Sequence, residues 1–200
     1  HEIKNPLGGI RGAAQLLARE LPNEDLKDYT NVIIEEADRL RNLVDRMLGP
    51  NQLPQWQSLN IHEAIERVAT IIKAEGRDAI NIVRDYDPSI PELLGDKEML
   101  IQALLNIVRN AMQALTEAQV DNGVIQLRTR IQRQYTIGRK HHALICRIDI
   151  IDNGPGIPEH MIENIFYPMI TGRAEGTGLG LTSSQHLIHQ HHGHIECHSE

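Results

Sequence analysis

The chain has 200 residues, 40% hydrophobic but only 3% aromatic, with 20 basic and 27 acidic side chains giving a net charge of −7. That length supports one or two small domains, with cores built mainly from Leu, Ile, Val and Ala. The acidic balance, without a long basic run, argues against nucleic acid as a direct partner, and no apolar run approaches the ~20 residues that span a bilayer.

Cys146 and Cys197 are too few for a disulfide framework and suit a reducing compartment. No signal peptide is visible, and the chain opens at His1 rather than Met, which predicts missing residues upstream.

Residues 1–48 predict two helices. Ile3, Leu7, Ile10, Ala14, Leu17 and Leu21 recur at alternating spacings of four and three, the pattern of a bundle seam. Pro22 ends that run. The second helix carries Tyr29, Ile33, Ala37, Leu40, Val44 and Met47 and stops at Gly49-Pro50. A lone hairpin has too little core to be stable. Self-association into a four-helix bundle of two chains repairs this; packing of the hairpin on its own second domain is the alternative.

Residues 49–60, GPNQLPQWQSLN, read as a linker. From 61 to 200 helix and strand alternate. Helix is expected at 61–75, strand at 80–86, helix at 97–118 with Asp96 as N-cap, and strands at 124–134 and 143–151. In the last of these, Leu144, Cys146, Ile148 and Ile150 alternate with Arg147 and Asp149. A helix from 179 to 192 is expected to cap at Gly193, and a strand to begin at His194. The order implies an α+β sandwich with helices on one face of a mixed sheet.

The opening HEIKNPLGG places His1 and Asn5 one helical turn apart on an exposed face, with Glu2 beside them. Pro6 frees the Glu2 carbonyl and favours a bend there. Glu2 can accept a proton from one ring nitrogen of His1, leaving the other to attack phosphorus. A solvated surface pair remains open at this point.

On the 97–118 helix, Met99, Ala103, Ile107, Ala111 and Leu115 form an apolar stripe, and Asn106, Asn110, Gln113 and Glu117 a polar one. Asparagine is a poor interior helix residue. Two of them one turn apart suit a Mg²⁺–phosphate group, although spacing alone leaves an ordinary exposed face open.

Asp152-Asn153-Gly154-Pro155-Gly156 follows an apolar strand. Its carboxylate can accept from an exocyclic amine such as that of adenine, and its glycines let backbone approach the base. An ordinary turn is the alternative. Gly176-Thr177-Gly178-Leu179-Gly180-Leu181 opens a helix, where backbone amides make an anion site. Its glycine spacing is neither a Walker loop nor a dinucleotide fingerprint. Between them, FYPMITGRAEG (166–176) suits a mobile lid from which Arg173 could reach a phosphate.

These four segments, in this order, resemble the H, N, D-x-G-x-G, F and G boxes of sensor histidine kinases of two-component systems. The resemblance covers nearly the whole chain. It implies an all-α dimerisation hairpin (1–48), the linker 49–60, and a GHKL-type ATP-binding α+β sandwich (61–200). His1 would be the phospho-acceptor, Glu2 its acid–base partner, and Asn5 the residue that orients water during dephosphorylation of a response regulator. ATP and Mg²⁺ would be held by Asn106, Asn110 and Arg109. Asp152, Gly154 and Gly156 would take the base, and Arg173, Gly176, Thr177, Gly178, Leu179 and Gly180 the phosphates.

HEIKNPLGGIRGAAQLL, DRLRNLVDRMLGP, NIVRNAMQAL, DNGPGIP and FYPMITGR resemble the nitrogen-regulation branch, the NtrB type. That branch implies a cytoplasmic homodimer that phosphorylates a response regulator of the NtrC type and dephosphorylates it when the PII signal protein binds. Its PAS sensor domain is absent here, and the last strands of the sandwich are expected beyond Glu200.

Three rival readings define what must be excluded. A GHKL ATPase of the chaperone or topoisomerase kind needs a glutamate where Asn106 stands, and an amide is not a general base. A degenerate kinase serving as a scaffold would lack motif residues that are all present. Zinc could bind His186, His189, His192 and Cys197, although histidines in a last helical turn also suit the helix dipole.

Overall fold

The computed structural model describes residues 4–21, 24–48, 53–75, 80–138, 140–170 and 178–199. The chain forms two compact units, 1–51 and 52–200.

The first unit is a helical hairpin of α1 (Lys4–Glu20) and α2 (Glu24–Leu48). Among the described residues Ala14 on α1 and Ala37 and Thr30 on α2 are buried, and Arg11 pairs with Asp38 at 2.8 Å between the helices. Most of the expected seam is open. Ile10 and Leu17 are each 51% exposed, and Tyr29 is 70% exposed. Leu7, Ile10, Val32, Ile33, Ala37 and Leu40 line an open apolar cleft.

The second unit is the α+β sandwich that the alternating pattern implies. Its elements are β1 (Gln57–Leu59), α3 (Ile61–Ala74), β2 (Ile80–Asp85), β3 (Leu93–Gly95), α4 (Lys97–Glu117), β4 (Gly123–Ile137), β5 (Lys140–Asp152), α5 (Glu159–Ile162) and α6 (Gly180–Gln190). The mixed sheet has the order β2-β4-β5, with β2 parallel and β5 antiparallel to β4.

Alternation along β4 sends Ile125, Leu127 and Thr129 into the core. Cys146, Ile148 and Ile150 of β5 pack on that same core. On the opposite face Arg130 binds Asp85 at 2.7 Å and Arg147 binds Asp149 at 2.6 Å. Asn60 caps α3 by accepting from the His62 N–H, and Asp96 caps α4 by accepting from the Met99 N–H, as its position suggested.

Four details differ from the sequence reading. The stretch read as linker contains β1, which pairs antiparallel with β3. The buried arc of α4 is wider than one stripe: Leu100, Ile101, Leu104, Val108 and Met112 are buried too, while Ile107 is only half-buried. The reason is that α4 is covered twice, by the main core and by α6, where Met99 and Ala103 meet Leu187. The end of α6 places His192, not Gly193, in the left-handed conformation (φ 59°), and the Gly193 N–H bonds back to the Ile188 carbonyl at 3.0 Å.

The fourth difference is at His194–Ser199, which forms no strand among the described residues. This segment is tied by side chains instead of a backbone ladder. The His194 ring stacks on Tyr135, and Ser199 Oγ accepts from the Ile157 N–H at 2.7 Å.

Candidate active site

The polar stripe of α4 meets the start of α6. Asn106 Nδ2 donates to the Gly180 carbonyl at 3.4 Å. A Cβ on Gly180 would lie 4.0 Å from both Asn106 Cβ and Asn110 Nδ2, so the two asparagines border the first turn of α6. Ser184 fastens that turn, its hydroxyl lying 3.0 Å from the carbonyls of both Ala103 and Gly180. Among the described residues no side chain caps α6, and the first-turn amides of a helix suit an anion.

Gly178 itself lies against the backbone of residues 169–170. Its φ is +63°, and a Cβ there would lie 2.6 Å from the Met169 carbonyl carbon. Its own carbonyl accepts from the Met169 N–H at 3.2 Å. Met169 also has a left-handed backbone (φ 67°), so both sides of this contact depart from ordinary geometry. Thr182 donates to the Phe166 carbonyl at 3.0 Å and ties that residue to α6.

The Asp152 turn closes the other end. Asp152 Oδ1 accepts from the Gly154 N–H at 2.9 Å, and Asn153 Oδ1 accepts from the Val124 N–H at 2.7 Å. A Cβ on Gly154 would sit 2.6 Å from Asp152 Oδ1 and 3.6 Å from Leu115 of α4. The turn thus lies over Leu115, nine residues after Asn106. At 1.5 Å per residue this separates the two ends by roughly 13.5 Å along the helix. Amide oxygens and uncapped amides stand at one end, and a carboxylate on an open glycine turn at the other. That is the order of groups along a nucleoside triphosphate. Gly156 follows with φ 77°.

The structure therefore brings together Asn106, Asn110, Gly178, Leu179 and Gly180, with Asp152 and Gly154 beside the same helix. Arg109 is held elsewhere: its guanidinium pairs with Glu75 at the end of α3. Asn5 is exposed on α1. His1, Glu2, Arg173, Gly176 and Thr177 lie outside the described residues. Ser184, Thr182 and Met169 were not singled out from sequence. A serine four residues after Gly180 was the available signal for the first.

Burial, followed by the charge of Asp87, pushes the Cys146 thiol up to about 11, and burial also raises Cys197. Among the described residues no group of three or more His, Cys, Asp or Glu is placed to hold a metal ion, and no helix is long and apolar enough to cross a membrane.

Comparison with known families matches both parts of the chain. Residues 1–54 match the His Kinase A (phospho-acceptor) domain, and residues 95–200 match the family described as histidine kinase-, DNA gyrase B-, and HSP90-like ATPase. The chain belongs to the histidine kinases. Relatives named sensory histidine kinase/phosphatase NtrB are 56% identical in Shigella flexneri, over 98% of this chain and 55% of the relative. In Vibrio alginolyticus the identity is 51%, over 100% and 56%. The chain thus spans about half the length of the curated relatives it matches.

Among solved structures, the histidine kinase ThkA in complex with the response regulator TrrA aligns with a TM-score of 0.57 at 27% identity, covering 96% of this chain and 53% of that one. Full-length ShkA in complex with AMPPNP aligns at 0.60 and 22% identity, covering 94% and 39%, a likeness of fold.

Proposed function

We propose that this kinase core uses ATP to phosphorylate its own His1 and passes the phosphoryl group to an aspartate of a response regulator of the NtrC type. It also removes that phosphate, as a cytoplasmic homodimer in nitrogen-regulation signalling. The observation that carries the reading is the meeting of Asn106 and Asn110 with the uncapped, glycine-rich start of α6. It stands on a chain whose first 54 residues match a phospho-acceptor domain.

The residues fit Mg²⁺-ATP. The Asn106 amide nitrogen faces the Gly180 carbonyl, so its carbonyl oxygen is the end turned to a hard cation, and Gly180 adds no side chain to crowd it. Asn106 and Asn110 would hold Mg²⁺, which neutralises charge on the phosphates when bound. The amides of Gly178–Gly180 cradle the phosphates. Asp152 keeps one carboxylate oxygen on the Gly154 N–H and presents the other to the adenine amine.

In the transfer step one imidazole nitrogen of His1 attacks the γ-phosphorus, the bond to the β-phosphate oxygen breaks, and ADP leaves. Glu2 takes the proton from the other ring nitrogen. The open apolar face of the hairpin favours pairing with a second copy. By the family resemblance, the PII signal protein biases the balance toward dephosphorylation.

Incubation with γ-labelled ATP and Mg²⁺ tests this. The label should survive alkali and be lost in acid, as a phosphohistidine requires. His1→Gln should abolish it with ATP binding intact. Equal labelling of that variant, or a label stable to acid, refutes the assignment.

A further inference from the structure

Ahead of β1, the segment that enters the second unit is fastened at the joint between β3 and α4. The Gln55 N–H donates to Asp96 Oδ2 at 2.7 Å, while Asp96 Oδ1 holds the first turn of α4 through the Met99 N–H at 3.0 Å. His191, at the end of α6, completes the joint. Its Nε2 accepts from the Asp96 N–H at 2.9 Å, and its Nδ1 lies 2.7 Å from the Leu187 carbonyl. A backbone N–H on one side and a carbonyl on the other assign a neutral ring with its proton on Nδ1.

The Trp56 ring lies against this imidazole, with centroids 5.2 Å apart. Gly95 makes room for it: a Cβ there would come within 3.2 Å of His191 Cδ2 and 3.3 Å of Leu59.

This joint and the phosphate cradle are the two ends of one antiparallel helix pair. At one end Gly180 of α6 meets Asn106 of α4; at the other His191 meets Asp96. Between them Met99 and Ala103 pack on Leu187, and Ser184 bonds to Ala103. The place where the incoming segment is held is therefore registered to the nucleotide site through a packed helix pair. Releasing Gln55 and Trp56 would leave the segment anchored only from β1 onward. Two freed residues add up to about 7 Å of reach, whereas an error of ~1 Å at a reacting group can cost ~100-fold in rate.

We propose that His191 is a positioning residue for histidine phosphorylation: with Asp96 and Trp56 it clips the segment joining residues 1–51 to the nucleotide-binding unit, and so sets where the phosphate donor is presented. The proposal rests on the kinase reading above.

Trp56 is the one tryptophan in the sequence, so its fluorescence reads the clip directly. In the full 200-residue chain, His191→Leu should about double acrylamide quenching of Trp56. It should also lower the maximal autophosphorylation rate about tenfold, with the KM for ATP unchanged. His191→Gln keeps an acceptor for the Asp96 N–H and should recover most of both, and Trp56→Ala should repeat the rate loss without a KM change. Unaltered quenching in His191→Leu, an unaltered rate, or a loss of ATP affinity in step with the rate would each overturn the proposal. Failure of the wild-type chain to label would sink the kinase reading instead, and the quenching comparison would still decide whether the clip exists.

Discussion

The two units solve the problem of burial in opposite ways. The sandwich closes its own core: α3 alone buries Ile61, Ala64, Ile65, Val68, Ala69 and Ile72, and these meet α4 and the sheet. The hairpin buries Ala14, Ala37 and Thr30 and leaves Ile10, Leu16, Leu17, Val32, Ile33 and Leu40 in solvent. Apolar surface on that scale marks an interaction face. The difference teaches which unit closes its own core and which leaves its apolar stripe uncovered.

The sharpest way to break that comparison is a charge on the open face. Ile33→Asp would bury a carboxylate in a paired hairpin, a change worth about 3–5 kcal/mol when unpaired, yet it leaves the sequence of the sandwich unchanged. Light scattering should show the dimer lost. ATP binding by calorimetry should stay within error of wild type. A dimeric variant would show that the cleft lined by Leu7, Ile10 and Leu40 is not the pairing face.

Within the hairpin, the role proposed for Asn5 would separate two activities. The residue is exposed on α1, one turn from His1 in sequence, and has no proton to take from an imidazole. Water is the acceptor in dephosphorylation, and an amide can orient it. Asn5→Ala should keep His1 labelling and lower dephosphorylation of the response regulator on the order of 100-fold, both measured on one preparation with PII present for the second. Parallel loss would reduce Asn5 to a structural role.

Within the sandwich, Asp152→Asn should weaken ATP binding by roughly 1.5–3 kcal/mol, the worth of a charge-assisted hydrogen bond. It should also blur the preference for adenine over guanine nucleotides. The Gly154 N–H can still find the amide oxygen, so the turn should persist. Unchanged affinity by calorimetry would remove Asp152 from the site.

How legible these features were depended on how local their cause is. Asp96 was readable as a cap because its partner is three residues away. Asn106 and Asn110 stood out because asparagine is a poor interior helix residue, although their spacing alone left an ordinary exposed face open. The strands β1 and β3 were not, since three residues give no period and their pairing links positions 57–59 to 93–95. His191 was not singled out from sequence. Its meaning comes from Asp96, 95 residues earlier in the chain. Arg109 looked like a phosphate ligand by neighbourhood and proved to be held by Glu75, a pairing that only the packing of α3 on α4 creates.

The smallest effect tests the joint itself. Burial works against the charged form of Asp96, but the backbone N–H groups of Gln55, Met99 and Glu98 together hold its carboxyl below the usual carboxylate range. Such a group stabilises the fold fully above its unfolded value of about 3.9 and loses that contribution as pH falls through its lower folded value. Asp96→Asn can still cap Met99 through its oxygen, but its NH₂ cannot accept from Gln55. The variant should lose about 1–2 kcal/mol at neutral pH. The gap from wild type should shrink only as the solution is acidified below pH ~4, where the wild-type carboxylate protonates as well. Denaturant titrations at neutral and acid pH measure both quantities. A gap that stays constant into acid would mean the Asp96 charge contributes nothing, and that the clip rests on His191 and Trp56 alone.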